Sequence, residues 1–137
     1  MTPTPYIFFN GQCRAATEAY ARIFGIAIPE YMTMEGAPPD MEIPEDRKNW
    51  IMHCQMDFGG GTIMMSDDFA GNSPAMDGCN IAVAMPTADE SKAVFDQLAE
   101  GGDVRMPWEP TFWSPGFGTL TDKFGIRWMI DTDAPEG

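Results

Sequence analysis

Histidine is almost missing from this chain: His53 is the only one in 137 residues. That removes most of the metal sites and acid–base pairs that operate near neutral pH. Cysteine is scarce and odd in number. Cys13, Cys54 and Cys79 show no Cys-x-x-Cys spacing, which argues against a disulfide framework and a structural zinc site. They read as reduced, mostly buried thiols. Cations are few as well, 8 Lys and Arg against 21 Asp and Glu, for a net charge of −13. Nucleic acid and anionic membranes are therefore poor partners, since binding them needs clustered Lys and Arg. No stretch approaches the roughly 18 apolar residues of a membrane span. The first residues lack a basic segment followed by an apolar run, so the expected location is the cytoplasm. Gly59-Gly60-Gly61 lacks a following Lys-Ser/Thr and opens no helix, so it reads as a hairpin turn and not a phosphate loop.

What is present suits a globular protein: 44% hydrophobic and 12% aromatic residues are too many for a disordered chain. Two independent domains of under about 70 residues would each bury too little surface. The expectation is one domain, 1–137, with a shared core.

Along the chain, Tyr6-Ile7-Phe8-Phe9 reads as a strand ended by Asn10-Gly11. From Cys13 to Phe24 the apolar residues Ala16, Ala19, Tyr20, Ile23 and Phe24 form one helical stripe, closed by Gly25. Residues 26–33 suggest an edge strand, because Pro29 cannot serve a central one. Residues 34–48 form an acidic, Pro-containing loop, long enough to be mobile or a lid. A hairpin follows, His53–Asp57 and Thr62–Asp67, around the glycine turn. After a linker at about 68–77, residues 79–85 make a strand. Thr87-Ala88-Asp89-Glu90 is a capping box opening a helix with Ala93, Val94, Leu98 and Ala99 on one face. Asp103–Met106 is a strand. The last hairpin, residues 116–121 and 126–130, turns at Asp122-Lys123-Phe124-Gly125.

Each half therefore runs strand, helix, three strands, at about 1–68 and 77–137. The fold class is α+β: paired βαβββ modules, helices on one sheet face and the other face curled around a cavity.

The pieces Pro5–Gly11 with Tyr20–Gly25, Met52-His53 leading to Gly59-Gly60 and Met64–Asp67, Leu98–Val104 with Met106-Pro107, and Phe112-Trp113 with Asp122–Ile130 span nearly the whole chain. In this order they resemble the vicinal-oxygen-chelate superfamily of glyoxalase I, bleomycin-resistance proteins and extradiol dioxygenases, and its PhnB-like branch in particular. The resemblance implies a curved mixed sheet of the glyoxalase/bleomycin-resistance type and a homodimer. Metal enzymes of that superfamily carry His, Glu or Gln at four inward positions. Carried over by the helix and turn motifs, these fall on Pro5, Met65 (or Met64), Asn80 and Met129, none of them a usual ligand for Zn²⁺, Fe²⁺ or Ni²⁺. No metal and no other cofactor is expected.

His53 and Cys54 are neighbours on a strand, so they point to opposite faces and make no nucleophile–base pair. The expected ligand-binding cavity is lined by Phe9, Met65, Asn80, Arg105, Trp108, Trp113, Arg127 and Met129. It combines adaptable Met and aromatic surface with two cations able to orient an anionic group. Trp128, alternating with Met129, should instead pack under a helix. The leading function is metal-free binding of a small, partly apolar molecule between the modules, with no catalytic residue assigned. The alternatives are a metal-dependent lyase or oxidoreductase of the glyoxalase or dioxygenase kind, and a non-catalytic structural dimer.

Overall fold

In Tyr6–Phe9 every second side chain is buried, and that alternation sets up the first sheet. The computed structural model describes residues 1–133, and the chain divides into two compact units, Met1–Pro74 and Ala75–Gly137. The first comprises β1 (Tyr6–Phe9), α1 (Cys13–Phe24), β2 (Met32–Thr33), β3 (Ile51–Asp57) and β4 (Thr62–Asp67). The strands lie in the order β1-β4-β3-β2, with β1 parallel to β4 and the other pairs antiparallel.

Helix α1 packs on β3 and β4. Its Cys13, Ala16 and Tyr20 meet a sheet face of Ile7, Phe9, Cys54, Met56, Ile63 and Met65, all buried. Removing an aliphatic or aromatic side chain of this kind from water contributes roughly 1.5–3 kcal/mol. Gly25 ends the helix in the left-handed region at φ 67°, as its place after Phe24 predicts.

The strand expected over 26–33 shrinks to two residues, at the sheet edge. Pro29 has no amide to donate, and Ile28 is exposed, so nothing extends the ladder upstream. The acidic segment 34–48 is not a plain loop. It winds through three 3₁₀ turns, Met34–Gly36, Pro39–Met41 and Glu45–Arg47. Buried Met34 and Ile43 pin it to the unit. Arg47 donates to the Phe69 carbonyl and lies 4.6 Å above the Trp50 ring.

The second unit repeats the plan with β5 (Ile81–Met85), α2 (Ala88–Ala99), β6 (Asp103–Glu109), β7 (Phe117–Thr121) and β8 (Arg127–Thr132), ordered β5-β8-β7-β6. Again the first and last strands pair in parallel. Thr87 caps α2 by accepting the Glu90 amide at 3.2 Å, while Glu90 reaches back to the Thr87 hydroxyl. The buried face of α2 is Ser91, Val94, Phe95 and Leu98. The sequence placed Ala93 there, which is exposed, and missed Ser91 and Phe95. Pro107 is tolerated in β6 because that strand forms an edge. Two four-stranded mixed sheets with two helices make the α+β, paired βαβββ architecture expected from the sequence.

Candidate functional site

Each sheet has one face under its helix and one that the helix leaves uncovered. In the second unit, Leu120, Trp128 and Ile130 are fully buried, and a Cβ on Gly118 would meet the Phe95 ring of α2, so these positions mark the helix side. Their neighbours Phe117, Thr119, Arg127, Met129 and Asp131 take the other face. Registers of Thr119 with Met129 and of Ala82 with Met129 line them up across β7, β8 and β5.

Arg105 governs this face. Its Nη2 donates to Asn80 Oδ1 at 2.5 Å and to the Leu120 carbonyl at 2.9 Å. Arg105 sits on β6 and Asn80 just before β5, the two edges of the sheet, so one side chain bridges its width. Arg105 Nε and Thr119 Oγ1 are buried with no hydrogen-bond partner among the described residues. Partial burial, and then the positive charge of Arg127, lower the Arg105 pKa from its ordinary value. Arg127 donates from Nε to the Cys79 carbonyl at 3.0 Å and, among the described carboxylates, reaches only the well-exposed Asp77, at 3.7 Å. The acid on this face, Asp131, is engaged by the Ser114 hydroxyl at 2.5 Å and the Thr132 amide at 2.8 Å.

Of the eight residues singled out from the sequence, Asn80, Arg105, Arg127 and Met129 thus come together. Trp113, half exposed, stands edge-on to Phe117 at 5.3 Å, at the end of the same face. Trp108 lies elsewhere: its Nε1 donates to Ser91 of α2 at 2.9 Å, on the helix side. Phe9 and Met65 belong to the core of the first unit, at 3% and 0% exposure. Met64, next in register to Gln55 and Tyr6, takes the uncovered face in place of Met65. Sequence reasoning missed Thr119, although the alternation that marked Met129 marks its β7 partner as well.

On the first unit's uncovered face, Tyr6 Oη meets His53 Nδ1 at 3.1 Å, and the Phe8 ring lies 5.0 Å from that of Tyr6. A cavity of about 520 Å³ opens beside His53, bounded by Glu30, Tyr31, Met32, Cys54 and Gln55. Cys54 turns the other way, as expected, and its sulfur lies 3.8 Å from that of Cys13 under α1.

A family model of the glyoxalase/bleomycin resistance protein/dioxygenase superfamily matches residues 4–130. The chain belongs to this superfamily. It is 32% identical over 142 residues to protein YjdN of Escherichia coli (strain K12), covering 96% of this chain and 95% of that one. Protein PA1353 of Pseudomonas aeruginosa has a similar structure, with a TM-score of 0.83 and 36% identity over 97% of this chain and 98% of that one. The PhnB protein of Bacillus cereus shares the fold at a TM-score of 0.78 and 22% identity, over 97% and 100% of the two chains. The superfamily resemblance is thereby met in sequence, and the PhnB likeness in fold.

The divalent cation of the superfamily's metal enzymes does not fit these residues. Pro5 offers only a carbonyl, already accepting the Met64 amide. Asn80 Oδ1 is taken by Arg105, and two guanidinium groups at that spot repel a cation. Among the described residues no three His, Cys, Asp or Glu side chains form a group able to hold a metal ion. Among the same residues, no helix is long and apolar enough to cross a membrane.

Proposed function

We propose that this protein binds a small, partly apolar molecule without a metal, using the uncovered sheet face of its second module. The observation that supports this is Arg105 laid across that face, with donors left over, beside the apolar Met129 and Phe117. Met adapts to irregular apolar shapes, and the guanidinium supplies directional donors, a combination suited to small-molecule recognition. Trp113 contributes at the rim of the site. The protein works as a homodimer in the cytoplasm in this reading, consistent with the resemblance from which the dimer was expected.

The deciding experiment is metal content of the purified protein together with thermal melts across divalent ions and chelator, followed by a small-molecule screen read by tryptophan fluorescence. No stoichiometric metal, no ion-specific rise in Tm, and a saturable quench that weakens in Trp113→Ala are expected. A stoichiometric metal, or a melt raised by several degrees by one ion, would favour the metal-dependent lyase or oxidoreductase by linkage.

A further inference from the structure

Arginine brings five N–H donors, and Arg105 commits only Nη2, to Asn80 and Leu120. Nη1 and Nε have no hydrogen-bond partner among the described residues, and Nε is buried. No carboxylate among those residues pairs with Arg105 either, in a chain carrying 21 acids. A second guanidinium, Arg127, lies on the same face, and burial and then its positive charge lower the Arg105 pKa. Thr119 adds a buried hydroxyl without a partner on the same face. Buried donors are normally satisfied, and like charges are normally kept apart, so both departures in one place need a missing acceptor.

We infer that the small molecule carries an oxyanion, and that Arg105, Arg127 and Thr119 hold it while its apolar body lies over Met129 and beside Trp113. This rests on the small-molecule reading above and adds the charge of the ligand. The anion accepts from the unused Arg105 donors and the Thr119 hydroxyl. Asn80 holds the guanidinium from the far edge, so that it meets the ligand already oriented. Carboxylates and phosphates offer the same paired oxygens to a guanidinium. Asp131 does not compete, since Ser114 and Thr132 already occupy it.

The test titrates the full chain with phenylacetate, phenyl phosphate and the neutral phenylacetamide, read by tryptophan quenching and by Tm at low and moderate salt. Both anions are expected to bind more tightly than the amide, with affinity falling as salt rises. Arg105→Gln is expected to weaken anion binding roughly tenfold or more. Thr119→Val, nearly isosteric and safe for folding, should weaken it less, and Arg22→Gln on an exposed turn of α1 should not. Whichever anion binds more tightly names the class of headgroup. Anions binding no better than the amide, or an unchanged affinity in both Arg105→Gln and Thr119→Val, would overturn the inference. If the amide binds as well and Trp113→Ala weakens all three probes, the charge assignment fails while small-molecule binding stands. If no probe binds, the charge assignment fails here, and the wider fluorescence screen decides the binding reading separately.

Discussion

Asp67 Oδ1 accepts the Cys13 amide at 3.0 Å, so a carboxylate at the end of β4 caps a helix 54 residues earlier in the chain. The same oxygen takes the Gly11 amide at 2.9 Å, and Oδ2 takes the Ile51 amide at 2.9 Å. Gln12, in the capping position itself, makes no side-chain bond. Asp67 is thus the buried joint of β1, α1 and β3. Asp67→Ala strands three amides, and at about 1 kcal/mol each or more, it should cost about 3 kcal/mol. Urea unfolding measures this, and a loss under about 0.5 kcal/mol would show that the joint is dispensable. Asp67→Asn, keeping one acceptor oxygen, should fall in between.

The alternation of β1 gives a second expectation. Phe9 is buried and Phe8 is 56% exposed. Phe9→Ala should cost about 3–5 kcal/mol and Phe8→Ala under about 1 kcal/mol. Equal losses in thermal or urea unfolding would mean that β1 does not present its faces this way.

The thiols give a third. The hydrogen bond with Cys54, then burial, hold Cys13 well above the usual thiol range, while that same bond lowers Cys54. The folded pair therefore yields one proton at most, whereas the unfolded chain ionises both near 9.0. With fewer protons bound to the unfolded state, stability is intact below that pH and falls above it, by up to about 1.4 kcal/mol per pH unit for one group. Replacing both thiols, Cys13→Ala with Cys54→Ala, should flatten this alkaline decline, whereas Cys13→Ala alone leaves Cys54 with only burial and Asp67, which raise it, and keeps the decline. Thiol titration of the native protein should find Cys79, which is exposed, reacting at once, and Cys13 and Cys54 reacting only on unfolding.

A fourth concerns close approach. A Cβ on Gly116 would sit 1.9 Å from the Trp108 ring, while nothing lies within 4 Å of one on Gly60. Gly116→Ala should cost about 1–3 kcal/mol and Gly60→Ala little. Calorimetry on the pair of variants checks this, and indifference at Gly116 would count against the Trp108 packing.

Most elements could be read from local pattern because their causes are local: Gly25 after a helical stripe, Thr87 three residues before Glu90, Trp128 alternating with Met129. What stayed hidden depends on strand order. Nothing near Arg105 in sequence points to Asn80, 25 residues away, until β5 and β6 are placed at the two edges of one sheet. The same holds for Asp67 with Cys13. Met64 and Met65 posed a different difficulty. The run Ile63-Met64-Met65 has no polar residue to show which of two neighbours faces the helix, and a one-residue shift exchanges them. Trp108 misled because a large aromatic next to a loop gives no sign that a Ser on a helix awaits its N–H.

The two modules follow one plan, yet the glycines of the second module's sheet and of the first module's hairpin set different limits on change. Gly102, Gly116 and Gly118 of the second each lie against something that fills the space of a side chain: the Thr121 carbonyl, the Trp108 ring, and the Phe95 ring with the β6 backbone. The glycines of the first module's hairpin, Gly59, Gly60 and Gly61, border open space. Random substitution would therefore be filtered unevenly. The half that carries Arg105 is held to a narrow set of sequences at these points, while Gly60 and Gly61 of the first hairpin have room for side chains and Gly59 is held only by its φ of +93°.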